Sequence, residues 1–230
     1  MQAVALVESV SGWLRPEDAD KLWELSHSAA GPILEIGTYH GKSAVLMALA
    51  LRDAGNGGVL YTLDVDARVQ RSAQAEAETH GVADLIVFVR GTSAALARAY
   101  PHLRPAVTFI DGDHSRVGVE RDLAVLDALV PDGGRLLFHD YHDPRNEDPG
   151  CDEVKVRPAV AGSWVARDCD FDGVFGCCGL FTRRTGGPPA KFPIVDLLRL
   201  DSAKDQYLHR LRYPLGRLWW RLRQRNPAAS

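Results

Sequence analysis

Five short apolar runs, at residues 33–36, 59–63, 85–89, 107–110 and 135–138, alternate with helical stretches at 43–52, 67–79, 93–100 and 117–130. This alternation constrains the chain more than any other feature of the sequence. Strand-helix repeats of this kind specify a parallel sheet covered by helices on both faces. The expected fold is therefore α/β, Rossmann-like and doubly wound. In such a sheet a ligand lies beyond the carboxyl ends of the strands, near the point where the strand order reverses. Upstream, Pro16-Glu17-Asp18 reads as a helix start and Gly31-Pro32 as its stop. Downstream, residues 143–152 read as a polar loop placed to act as a lid, 153–165 as one helix and 174–182 as one strand.

Length and charge narrow the field. A chain of 230 residues holds one α/β domain of ordinary size. We place that domain at 1–187, with a basic helical extension at 188–230. A net charge of -3 speaks against a nucleic-acid partner. No apolar run is long enough to suggest a membrane span. Residues 1–13 carry Glu8 and no basic stretch, unlike a secretory signal, so a cytoplasmic location is expected. The cysteines, at 151, 169, 177 and 178, show no zinc-like spacing and are expected to be buried free thiols.

The chemistry concentrates at the strand ends. The first strand runs into Glu35-Ile36-Gly37-Thr38-Tyr39-His40-Gly41-Lys42-Ser43. A P-loop needs one more residue before Gly-Lys-Ser, and a dinucleotide fingerprint needs glycine where Tyr39 stands. What remains is an acidic residue followed by a glycine turn. Glu35 is expected to receive a cationic amino group, with Gly37 and Gly41 making room for an aminoacyl tail. Asp64 stands 27 positions after Gly37, near the ~20 expected of an acid that bonds ribose hydroxyls. Asp66 is the fallback. Gly91-Thr92-Ser93 follows the third strand, where an adenine edge would lie.

Together with Phe109-Ile110-Asp111-Gly112-Asp113-His114-Ser115, Asp132-Gly133-Gly134 and Phe138-His139-Asp140-Tyr141, these segments resemble the class I S-adenosylmethionine-dependent methyltransferases. The resemblance is to the branch of bacterial sugar and antibiotic-tailoring O-methyltransferases and covers roughly residues 20–183. It implies a seven-stranded, mostly parallel sheet and an S-adenosylmethionine site formed by Glu35, Gly37, Tyr39, Gly41, Ser43, Asp64, Thr92, Ser93 and Asp111. It further implies a hydroxyl acceptor on a sugar, an oligosaccharide or a glycosylated natural product.

Carboxylates converging in one cleft repel each other, so a divalent cation is a natural partner. The resemblance gives Mg2+ on Asp111 and Asp140. His139 stands where the branch often has an acid, and histidine is the poorer magnesium ligand. The general base is open between Asp113, which matches the branch's base position, and His142, whose imidazole titrates nearer neutrality. His114 comes third.

Competing readings are a nicotinamide oxidoreductase, an iron-dependent hydroxylase-like relative on the same fold and a non-catalytic adaptor using the basic tail. In that tail Leu208, Leu211, Leu215, Leu218, Trp219 and Leu222 alternate with arginines. It is expected to pack on the core or on a second subunit of a homodimer. Contact with a membrane surface and a wall of the acceptor site are the alternatives.

Overall fold

The computed structural model describes residues 3–186. The tail, and every expectation placed on residues 187–230, lies outside the described residues. A short 3₁₀ turn, Ala3–Val7, precedes α1, Pro16–His27. Pro16 occupies the first turn, where its missing N–H costs nothing, and Asp18 accepts the Arg15 N–H. The repeat then follows as β1 (Ile33–Ile36), α2 (Lys42–Ala54), β2 (Leu60–Asp64), α3 (Ala67–Thr79), β3 (Ile86–Arg90), α4 (Ser93–Ala99), β4 (Val107–Ile110), α5 (Arg116–Leu129) and β5 (Arg135–Phe138).

The seven strands lie in the order β3-β2-β1-β4-β5-β7-β6. The first five are parallel. The order reverses between β1 and β4, so their carboxyl ends open the crevice. Alternate residues of the central strands feed two cores. Ile33, Phe109 and Leu137 face α1 and α2, packing against Leu22, Leu25 and Met47. Leu34, Ile110, Leu136 and Phe138 face the other side, packing against Leu123 and Leu126 of α5. Strands buried on both faces read as continuous apolar runs, which is why they stand out in the sequence.

Two expectations are corrected beyond β5. The stretch 153–165 is not one helix. It forms α6, Val156–Ala161, and α7, Trp164–Asp168. Gly162 ends the first, and the Ser163 hydroxyl caps the second by accepting the Val165 N–H. The stretch 174–182 is likewise divided. β6 (Cys169–Phe175) and β7 (Cys178–Arg183) form an antiparallel hairpin, joined by Gly176-Cys177. Gly176 has φ +60°, the backbone that a two-residue hairpin turn demands of its first central residue. β7 also pairs antiparallel with β5 and so closes the sheet. Among the described residues no helix is long and apolar enough to cross a membrane.

Candidate functional site

The glycine loop after β1 sits where the sheet order reverses. Gly37 has φ +98°, and a Cβ there would lie 2.2 Å from the Asp111 carbonyl oxygen. Only glycine lets the loop rest on the end of β4. Tyr39 takes a left-handed backbone, φ +46°, and donates its N–H to Asp64 Oδ2 at 2.9 Å. Asp64 Oδ1 accepts the Asp66 N–H at 2.8 Å. Burial raises the Asp64 carboxyl above the usual carboxylate range. Asp64 thus stands at the end of β2 beside the loop, as the spacing requires. Gly41 caps α2 with φ +90°, and a Cβ on it would meet Ala73 at 2.8 Å. The exposed Trp13 ring stacks on Tyr39 at 5.9 Å, over the outer side of this loop.

Glu35 is placed otherwise than expected. Its carboxyl is fully buried beneath the loop. One oxygen accepts the Ser43 hydroxyl and the other the Thr62 hydroxyl, at 2.5 Å from Thr62 Oγ1. Thr38 Oγ1 lies 2.6 Å from Thr62 Oγ1 and extends the network to the loop. Burial pushes the Glu35 carboxyl up to about 8, against the lowering effect of the two hydroxyl bonds. Glu35 and Ser43 therefore brace the loop from within. Ser93 is also buried, and its hydroxyl donates to Asp122 at 2.7 Å. Thr92 caps α4 by accepting the Ala95 N–H. These two shape the third strand end through the helix start.

The second half of the crevice is a cluster of acids and imidazoles at the ends of β4 and β5. His114 Nε2 lies 2.9 Å from Asp111 Oδ1, and its Nδ1 3.1 Å from Asp140 Oδ2. His139 Nδ1 lies 3.1 Å from the same Asp111 oxygen and 3.6 Å from Asp140 Oδ1. Asp140 holds a left-handed backbone, φ +54°, which turns its carboxylate into the group. Arg145 adds an ion pair to Asp140 at 3.3 Å. Burial alone would raise the Asp111 carboxyl, but His139 and His114 hold it well below the usual carboxylate range. Burial alone would lower the His114 imidazole, but hydrogen bonds to Asp111 and Asp140 bring it up to about 9. His139 is likewise raised well above its ordinary value, chiefly by Asp111 against the effect of burial.

This arrangement sorts the candidate bases. His114 is clamped between two carboxylates, with one ring nitrogen towards each. Asp113 turns away towards α5. Its Oδ1 accepts the Ser115 N–H at 3.0 Å, and a Cβ on Gly118 would lie 2.4 Å from its carboxyl carbon. That contact makes Asp113 part of the α5 start and weakens its case as base. His142 is exposed, with its backbone N–H on the Cys177 carbonyl.

The candidate lid at 143–152 is tethered by side chains in this structure. Buried Asn146 donates through Nδ2 to the carbonyls of Asp140 and Asp143. Lys155 Nζ reaches the carbonyls of Arg145, Asn146 and Asp148.

The residues present fit a divalent cation. His139 Nδ1 is buried and has no aligned hydrogen bond, although it lies close to Asp111. Donor atoms of Asp111, His114 and His139 lie within 4.8 Å of one another. His139 and His114 make the set richer in nitrogen than the two carboxylates expected of a magnesium site. The ring of His139 has a further neighbour in Cys177. The Cys177 thiol is lowered to about 6, first by its contact with Cys178 and then, against burial, by His139. Sequence reasoning missed this neighbour, because the hairpin that delivers it is formed by long-range pairing.

A crevice of this kind, on a sheet of this order, defines the class I methyltransferase fold. Known proteins agree. Residues 34–141 match the family model described as "Methyltransferase domain". Solved structures share the fold at low sequence identity. The cofactor-bound Rv0187 protein from MTB superposes with a TM-score of 0.65 at 19% identity, over 79% of this chain and 88% of that one. An O-methyltransferase from Bacillus cereus in complex with SAH gives 0.61 at 17%, over 80% and 88%. The O-methyltransferase TomG from Streptomyces achromogenes, involved in tomaymycin synthesis and solved with SAM, gives 0.60 at 18%, over 81% and 91%.

Proposed function

We propose that the chain is an S-adenosylmethionine-dependent O-methyltransferase whose acceptor hydroxyl is held at the Asp111, His114, His139 and Asp140 cluster. One observation carries the reading. The loop that reaches Asp64 rests directly on the strand end bearing Asp111, with no room for even a Cβ between them at Gly37. A ligand on the loop and a ligand on the cluster would be immediate neighbours.

Bound S-adenosylmethionine supplies an electrophilic methyl on a positively charged sulfur. The Asp64 carboxylate is the acceptor for ribose hydroxyls, and Gly37, Tyr39 and Gly41 offer backbone to the aminoacyl tail. Asp111 and Asp140 would hold a divalent cation, with His139 Nδ1 turned towards Asp111 beside it; the cation would supply Lewis acidity towards an acceptor oxygen. His114 locks the two carboxylates in place through its two ring nitrogens. His142, exposed and two residues beyond Asp140 in the chain, is the group we assign to take the acceptor proton. Two carboxylates and two imidazoles suit a hydroxyl-rich acceptor better than an apolar one. We therefore favour a sugar, an oligosaccharide or a glycosylated natural product. Holding two substrates in line accounts for most of the work and lowers such barriers by up to ~7–11 kcal/mol.

The test is methyl transfer from labelled S-adenosylmethionine to a panel of glycosides, with Mg2+, Mn2+ or chelator. The proposal expects label in a hydroxyl-bearing acceptor, a metal-dependent rate and a loss of at least ~10²-fold in His142→Ala. Label in no acceptor under any metal condition would overturn it.

A second reading rests on a specific observation. Asp111, His114 and His139 present two imidazoles and one carboxylate, the donor set of non-haem iron oxygenases. Tight Fe2+ binding without S-adenosylhomocysteine binding would favour that hydroxylase-like reading.

A further inference from the structure

Behind His139, on the side of its ring away from Asp111, lies a second group of donor side chains. It comprises Asp18 from α1, His139 from the end of β5, Cys177 from the hairpin turn and Cys178 from β7. All four are buried, and one donor atom from each lies within 4.8 Å of the others. The His139 ring divides the two groups. Its Nδ1 faces Asp111 at 3.1 Å, and its Nε2 faces Asp18 Oδ2 at 4.0 Å. Cys177 Sγ lies 3.4 Å from that same Asp18 oxygen.

The tether between α1 and the hairpin explains only part of this. Asp18 Oδ1 accepts the Cys177 N–H at 2.8 Å, and Oδ2 accepts the Arg15 N–H at 3.1 Å. Those bonds fix the turn, and Gly176 makes room for them, since a Cβ there would sit 2.2 Å from Asp18 Oδ1. They do not explain why two thiols and an imidazole converge on the same fully buried carboxylate. Thiols are weak hydrogen-bond donors and poor compensation for a buried charge.

We propose that Asp18, His139, Cys177 and Cys178 form a second, closed metal site that takes a thiophilic divalent cation, Zn2+ above all. Zinc accepts sulfur, nitrogen and carboxylate oxygen in four-coordinate structural sites. Thiolate donors select it over Mg2+ or Mn2+. Binding releases the thiol protons to solvent, and the two thiolates with Asp18 more than balance the ion's charge. Four protein donors leave no open position, so the site is structural. It clamps the hairpin to α1 and, holding His139 by Nε2, leaves its Nδ1 as an N–H donor that faces Asp111. Nothing in this depends on the identity of the methyl acceptor.

Co2+ titrated into chelator-stripped full-length protein tests the site, because of the two donor groups found among the described residues only this one contains sulfur. The expected result is a thiolate-to-cobalt charge-transfer band saturating at one ion per chain. Asp111→Ala should keep the band, Cys178→Ser should lose it and Zn2+ should displace it. Wild-type protein gives an independent readout, with Zn2+ slowing alkylation of Cys177 and Cys178 at least tenfold and raising Tm. A folded wild-type protein without the band, or a band that survives in Cys178→Ser, overturns the proposal. So does alkylation unchanged by Zn2+.

Discussion

Single residues carry the sharpest consequences. Glu35 is a buried acid raised from 4.5 to about 8 by burial. A raised folded value means that the stability tied to this group is complete below the unfolded value and is lost as pH climbs through the folded one. The loss falls between about pH 4.5 and 8, at no more than ~1.4 kcal/mol for each pH unit. Glu35→Gln keeps one acceptor oxygen, puts a donating amide where the other stood, and removes the titration. Urea denaturation at pH 5 and pH 8 should therefore show the variant gaining on wild type as pH rises. Parallel curves at both pH values would refute the assignment. Gly37→Ala is a different case, because no rotamer relieves a Cβ set 2.2 Å from the Asp111 carbonyl. We expect a loss of ~1–3 kcal/mol or more from the forced backbone. Cofactor affinity should fall with it, read by thermal denaturation with and without S-adenosylhomocysteine.

At the scale of elements, the strand-helix repeat is legible because strands buried on both faces show as unbroken apolar runs. Asp64, Asp111 and Asp140 are legible because they follow such runs directly. The hairpin is not. Residues 174–182 all suit a strand, and only the positive φ of Gly176 divides them. β6 itself is mostly exposed, with Asp170 and Asp172 among its residues, so it lacks a buried strand's pattern. The burial of Glu35 is not legible for a related reason. Nothing local announces that Ser43 and Thr62 will close over its carboxyl. The segment 143–152 looks like a lid by composition, yet Asn146 holds it through the carbonyls of Asp140 and Asp143. Asn146→Ala should free it. Hydrogen exchange across 142–152 should rise markedly, while the exchange of β1 and β4 stays unchanged. Unaltered protection of that segment would show that Lys155 alone suffices.

The molecule as a whole joins two half-sites across the reversal of its sheet. β1 and β2 bring the glycine loop and Asp64, while β4 and β5 bring the acid and imidazole cluster. The resemblance read from the motifs anticipates this division, and solved structures of low identity share the fold. Binding at such a junction stabilises the folded state by mass action. Ligand at a hundred times its Kd adds ~2.7 kcal/mol. Thermal denaturation with saturating S-adenosylhomocysteine should therefore raise Tm by several degrees, and Asp64→Ala should abolish the rise. The exchange should leave the core intact, since Asp64 stands at a strand end.

The most direct test is calorimetric titration of S-adenosylhomocysteine into the full-length protein, beside Asp64→Ala and Asp111→Ala. The account predicts one saturable site per chain in wild type and no measurable binding in Asp64→Ala. Asp111→Ala should keep binding but lose any dependence on divalent metal. Absence of binding to folded wild-type protein, with or without metal, would contradict the methyltransferase reading at its root.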